Sequence, residues 1–234
     1  MKKTVLVLSC EHAVNTVPPN YAGLFQRHES LLKTHRATDF GALDITTQMS
    51  ETLRCEYTQS AVTRLLIDCN RSLTHSRCFS KVTKHLSSTE KQSLIDQYYL
   101  PFRQQTKHII DRHIANNEQV LHLSVHTFAP ILKGLIQNAG IGLLYDFRRH
   151  GEKEVARVWH GLLLQETPEY RIRMNYPFPG NSDSFTSSLR HDYAERDYLG
   201  MEMDVNQAVL TSPAAISEIA HALSHSLREL LELL

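Results

Sequence analysis

At 234 residues, with 41% hydrophobic and 21% charged side chains, the chain has a globular composition and enough length to bury one sizeable core. Its 25 basic residues balance 25 acidic ones, which argues against nucleic acid or another polyanion as partner. No linker, repeat or low-complexity stretch divides the sequence, so residues 1–234 read as a single domain, and no run approaches the ~18 apolar residues of a membrane span.

The first predicted element is a strand, Val5-Leu6-Val7-Leu8, which runs into Ser9-Cys10-Glu11-His12-Ala13-Val14-Asn15 and is stopped by Pro18-Pro19. A polar cluster at a strand's C-terminal end is where open α/β sheets bind ligands. Met1-Lys2-Lys3 ahead of this strand imitates an export signal, but the apolar core falls short of the roughly 7–15 residues a signal requires. Cys10, Cys55, Cys69 and Cys78 form no CxxC pairs, which points to reduced thiols and the cytoplasm.

A short helix is expected within 20–26 and a longer one from Gly41 to Arg54, where Leu43, Ile45, Met49 and Leu53 recur at helical spacing. Thr38 or Asp39 stands where its N-terminal cap belongs, and one carboxylate can serve both cap and site. Residues 56–60 read as a weak strand and 61–68 as a strong one, ending in Cys69-Asn70-Arg71. Asn70 and Arg71 make a fork able to grip both oxygens of a carboxylate. An ion pair of Asp68 with Arg64 or Arg71 is the plain structural alternative. Residues 74–88 are polar and aperiodic, a connection suited to closing over a neighbouring site.

Ser88-Thr89-Glu90-Lys91 resembles a helix cap, and the apolar face that follows (Leu94, Tyr98, Phe102, Ile109) is interrupted by Pro101, which predicts a kink or two helices. Residues 120–128 repeat the opening pattern, a strand ending near His126. Residues 141–146 read as a strand, 152–165 as a helix, 171–174 as a strand, 175–181 as a turn-rich aromatic loop and 182–191 as a short helix. Residues 198–207 alternate as a strand that places Glu202 and Asp204 on one face, a candidate general base with a neighbour that tunes it. Ser212 to Leu234 closes the chain as an amphipathic helix with Pro213 in its first turn. Strands alternating with helices predict an α/β fold with a largely parallel sheet.

The chain has no HExxH, P-loop or dinucleotide-binding glycine pattern. It does have 14 histidines, a residue that serves as metal ligand and proton carrier. His12 and His126 at separate strand ends, with a carboxylate from Asp39 or Glu11, would complete the three-ligand, open-position site of a catalytic zinc. With Glu202 or Asp204 to take a proton from water, the chemistry expected is metal-dependent hydrolysis.

These residues fall in an order that resembles the N-formylglutamate amidohydrolase family. The matching pieces are Ser9-Cys10-Glu11-His12-Ala13-x-Asn15-x-Val17-Pro18, Asp39-x-Gly41-Ala42, Arg64-x-x-x-Asp68-x-Asn70-Arg71, Val125-His126-Thr127-Phe128, Asn175-x-Pro177-Phe178-x-Gly180 and the final acidic strand. The resemblance spans residues 5 to about 210 and implies a three-layer α/β/α sandwich with a mixed sheet, similar to zinc carboxypeptidases and aspartoacylase. It implies one zinc per chain on His12 and His126, with Asp39 before Glu11 as third ligand, and it favours Asp204 over Glu202 as general base. It further implies a small carboxylate substrate such as N-formylglutamate, gripped by Asn70 and Arg71, with Arg64 and Asn175 beside it. A metallocarboxypeptidase or cell-wall amidase, or a non-catalytic binder of an acidic metabolite, are the rival expectations. Where relatives have Tyr-Tyr-x-Pro-Tyr-His, this chain has Tyr98-Tyr99-Leu100-Pro101-Phe102-Arg103, a departure that bears on the substrate.

Overall fold

The computed structural model describes residues 2–132 and 134–234. Its strands are β1 (Thr4–Cys10), β2 (Glu56–Gln59), β3 (Gln119–Phe128), a small hairpin of β4 (Ile131–Leu132) and β5 (Leu135–Ile136), β6 (Ile141–Tyr145), β7 (Ile172–Met174) and β8 (Tyr198–Asn206). Between them lie the short turns α1 (Ala22–Phe25) and α2 (Glu29–Leu32), then α3 (Ala42–Leu53), α4 (Ser88–Leu94), α5 (Leu100–Ala115), α6 (His150–Glu166), α7 (Phe185–Asp192) and α8 (Pro213–Leu233). One sheet has the order β2-β1-β3-β8-β6-β7. Neighbours run parallel except β6 against β8, so the mixed, largely parallel sheet of a three-layer α/β/α fold is what the chain adopts.

The strands' two-residue period decides where the core and the polar groups go. Leu6 and Leu8 of β1, Leu121, Leu123 and Val125 of β3, and Leu199, Met201, Met203 and Val205 of β8 share one apolar cluster with α3, α6 and α8. Val7 and Val120 pack on the opposite face with α4, α5 and α7. On that same face the alternation turns polar: Ser9, His122, Ser124, His126, Glu202 and Asp204 are all buried. Buried polar groups must find partners inside the protein, and these find one another.

The structure corrects three sequence expectations. Residues 61–68 form turns, not a strand. Leu66, Ile67 and Cys69 are buried among residues of α4, α5 and α7, but their segment bonds to loops: Thr63 N–H to Thr16 O at 2.9 Å and Asp68 N–H to Cys78 O at 2.8 Å. A short apolar run signals burial without saying which backbone partners it has. The cap of α4 is Ser87, one residue earlier than expected, with Glu90 closing a capping box. Neither Thr38 nor Asp39 caps α3 through its side chain; the N-cap is Gly41 at φ 81°, a conformation glycine adopts without steric cost. Pro101, by contrast, acts as expected. A π-helical turn at Ile95–Tyr99 precedes it and α5 starts at Leu100, which accommodates a residue unable to donate to the helix.

Cys10, Cys55, Cys69 and Cys78 are all free. Among the described residues no helix is long and apolar enough to cross a membrane.

Candidate active site

Parallel register lines up the polar rows. Ser9 of β1 stands opposite Ser124 of β3, Ser124 opposite Glu202 of β8, and His126 opposite Asp204. Glu11 and His12 follow directly from the end of β1, and the turn before α3 brings Asp39 back to them: Asp39 N–H donates to His12 O at 3.0 Å and Thr38 Oγ1 donates to the same carbonyl at 2.9 Å. A cleft of about 660 Å³ opens here, walled by His12, Asp39, Arg64, Asp68, Asn70, Arg71, His126, Glu202 and Asp204.

Asp39 is the hub. Its Oδ1 accepts from Arg64 Nη1 at 3.0 Å and Nη2 at 3.1 Å, a charge-assisted fork. Its Oδ2 lies 3.2 Å from His12 Nδ1 and 2.9 Å from His126 Nδ1. Burial alone would raise the Asp39 pKa, but the Arg64 guanidinium and the two imidazoles hold it well below the usual carboxylate range. Arg64 Nη1 also sits 3.1 Å from His12 Nδ1. His12 Nε2 lies 2.8 Å from Asp68 Oδ1, so Asp68 can hold a proton on that nitrogen and leave Nδ1 to serve as a ligand. His12, Asp39 and His126 offer ligand atoms that all lie within 4.8 Å of one another. The donor set of two imidazoles and one carboxylate thus fits a divalent metal ion.

Two carboxylates on β8 face this cluster differently. Glu202 Oε1 accepts from Thr186 Oγ1 at 2.7 Å. Among the described residues nothing hydrogen-bonds the Asp204 carboxyl, and its burial, opposed by His126 and reinforced by Asp39 and Glu202, pushes its pKa up to about 7. A base near neutrality is what general catalysis uses.

Asn70 lines the cleft with its amide fixed, since its Oδ1 accepts from Phe185 N–H at 2.7 Å. Arg71 is held at the wall by a bond from Nη1 to Asp183 O, and Tyr99 Oη donates to Arg71 O at 2.8 Å. Two residues read from the sequence are not brought to the cleft. Asn175 has its Oδ1 occupied by Tyr145 N–H at 3.0 Å and Gly180 N–H at 3.1 Å. It fastens a turn in which a Cβ on Gly180 would come within 2.2 Å of Tyr145 N, so its motif is explained by backbone packing. Glu11 is fully buried and sits behind His126, its Oε2 3.3 Å from His126 Nε2. In turn, the sequence reading missed Asp68 as the partner of His12, and Ser124 and Thr186 altogether. For Ser124 the signal was present, as the middle of the period-two polar row His122-x-Ser124-x-His126.

Residues 4–211 match the family model described as N-formylglutamate amidohydrolase. The chain belongs to this family. As a member it is an amidohydrolase, and the expectation drawn from its ordered motifs holds. Comparison with curated proteins gave no match. Among solved structures it is similar to a gene product of Agrobacterium tumefaciens, with TM-score 0.81 at 23% identity over 99% of this chain and 92% of that one. It is also similar to the N-formylglutamate amidohydrolase of Ralstonia eutropha JMP134, with TM-score 0.70 at 15% identity over 97% of this chain and 93% of that one. At such identities these likenesses establish the fold.

Proposed function

We propose that this amidohydrolase is a zinc enzyme that cleaves the amide bond of an N-acylated amino acid bearing a free carboxylate, with N-formylglutamate as the first substrate to test. The observation that carries the reading is the convergence of two imidazole Nδ1 atoms on one oxygen of Asp39, next to a buried carboxyl, Asp204, that no group among the described residues hydrogen-bonds.

His12, Asp39 and His126 would hold the ion. When bound, zinc supplies Lewis acidity that polarises the scissile carbonyl and acidifies an attacking water. Arg64 occupies Asp39 Oδ1 and leaves Oδ2 free for the ion, and its partly exposed guanidinium also reaches the substrate side of the cleft. Asp204 takes the proton from the attacking water and returns it to the departing nitrogen, so that the acyl group leaves as its acid and the amino acid as its amine. Burial raises the Asp204 pKa, and Glu202, anchored by Thr186, adds to that rise. Asn70 and Arg71 receive the substrate carboxylate. Residues 1–234 act together as one catalytic domain, and the free cysteines support a reducing compartment such as the cytoplasm.

The test is turnover of a panel of N-formyl and N-acetyl amino acids, as free acids and as amides, by protein of measured metal content. Hydrolysis of free acids that rises with zinc content supports the proposal. Zinc-replete protein that hydrolyses none of them refutes it.

A further inference from the structure

The part of the buried polar row outside the cleft has a direction, set by one residue. Glu11 Oε1 lies 2.6 Å from Ser9 Oγ and Glu11 Oε2 lies 2.5 Å from Ser124 Oγ. His126 Nε2 lies 3.3 Å from Oε2 as a third potential donor, and hydroxyl contacts as short as those of Ser9 and Ser124 are made to an ionised carboxylate, so Glu11 is an ionised acceptor. An ionised carboxylate only accepts, so each serine spends its single hydroxyl proton on Glu11. Each serine must then accept from the histidine on its other side: His122 Nε2 at 2.8 Å from Ser9 Oγ, and His126 Nε2 at 2.9 Å from Ser124 Oγ. Both imidazoles are thereby committed to carrying a proton on Nε2. His122 agrees independently, because its other nitrogen, Nδ1, lies 2.8 Å from Tyr198 Oη, which can donate to it. Asn70 Nδ2, oriented by Phe185, lies 3.3 Å from His126 Nε2; it could donate there only to the tautomer that lacks the Nε2 proton, and the shorter contact with Ser124, 2.9 Å, decides against that tautomer.

We infer that Glu11 is a positioning residue for the proposed metal site: by drawing the protons of Ser9 and Ser124 to itself it locks a proton on His126 Nε2, which leaves Nδ1 as the nitrogen His126 can turn to the cleft. Glu11 acts through Ser124 and His126 and touches neither metal nor substrate. A neutral side chain there removes the lock, because an amide can donate to Ser124 and reverse the chain. The inference rests on the zinc reading only for its second readout; the first concerns the metal-free protein.

The experiment compares wild type with Glu11→Gln, Ser124→Ala and Tyr198→Phe. Imidazole N–H signals of ¹⁵N-labelled protein report the Nε2 proton of His126, and competition with a chelator gives the zinc affinity. Wild type should show a His126 Nε2 proton protected from exchange, with or without zinc. Glu11→Gln should lose that protection and bind zinc about 10–100-fold more weakly, the usual effect of removing a partner of a ligating histidine. Ser124→Ala should act in the same sense and keeps the test alive should Glu11→Gln not fold. Tyr198→Phe removes a buried bond at the far end of the row, so it should lower the melting temperature yet leave the His126 proton and the zinc affinity unchanged. Protection and affinity within twofold of wild type in both Glu11→Gln and Ser124→Ala would overturn the inference. Wild type that binds no zinc but shows the protected proton, lost in Glu11→Gln, would refute the zinc reading and leave the role of Glu11 in fixing His126 standing.

Discussion

His12 and His126 present the same ring atom, Nδ1, to the same oxygen of Asp39, at 3.2 and 2.9 Å, and each turns its Nε2 away. One Nε2 goes to Asp68 at 2.8 Å, the other to Ser124 at 2.9 Å and beyond it to Glu11. Each imidazole is thus oriented from behind by a carboxylate, directly or through one hydroxyl, with its inner nitrogen directed at a third. Metal-ligating histidines are commonly held this way.

Removal of any of the three inner groups should therefore remove the metal. His12→Ala, Asp39→Ala and His126→Ala are each expected to fall from about one zinc per chain to trace levels by elemental analysis, with far-UV circular dichroism preserved. Asp68→Asn keeps a hydrogen-bonding side chain behind His12 but loses its charge, and is expected to weaken zinc binding without abolishing it.

Asp204 should trade stability for activity. Its folded pKa, about 7, lies above the ordinary value of 3.8. A carboxyl raised on folding contributes stability that is fully present below pH 3.8 and is lost as pH rises through 7. Above that range the protein carries the cost of a buried charge. Asp204→Asn should thus cut kcat by about 10²–10⁴-fold with zinc retained, while raising the melting temperature of metal-free protein at pH 8 but not at pH 4. The gain should be on the order of a few kcal/mol. Melting curves of both proteins at the two pH values check the sign.

Glu202 lies on the same strand face but is bonded to Thr186. Glu202→Gln keeps that bond and should reduce kcat less than Asp204→Asn does. It also removes a negative neighbour of Asp204, so the acid limb of the rate profile should move to lower pH. A pH–rate profile of the single variant measures this directly.

Arg71→Lys replaces a planar fork with a point charge. Its Nη1 bond to Asp183 O aims the guanidinium along the cleft wall, and a lysine cannot reproduce both that bond and a paired grip on a carboxylate. KM for free-acid substrates should rise roughly tenfold with kcat little changed, and the preference for free acids over amides should shrink. Kinetics with the acid and amide of one N-formyl amino acid test this.

How much of this was legible in the sequence varied with what each residue answers to. His12 and His126 could be read because strands that end in polar clusters place their last side chains at one rim of a parallel sheet. Glu202 and Asp204 could be read because a strand's alternation is rigid. The 61–68 segment could not, because Leu66 and Ile67 are as buried in a turn as they would be in a strand. Glu11 precedes His12 by one residue, and spacing alone cannot tell a ligand from the carboxylate behind one. Asn175 stands in a motif shared with the family, yet its amide serves the turn around Gly180. Asp68 appeared as a candidate ion-pair partner for arginine. Its hydrogen bond to His12 depends on a fold-back of 56 residues that no local pattern encodes.

If this site hydrolyses N-acyl amino acids by means of a metal held on His12, Asp39 and His126, activity must follow the metal content of the protein. The most direct measurement is N-formylglutamate hydrolysis by one protein sample as isolated, after exhaustive chelation, and after addition of one equivalent of zinc. The expected result is activity that disappears with the metal and returns with it, in proportion to zinc bound. Undiminished activity in chelated protein shown to be metal-free would rule out a metal-dependent reaction at this site.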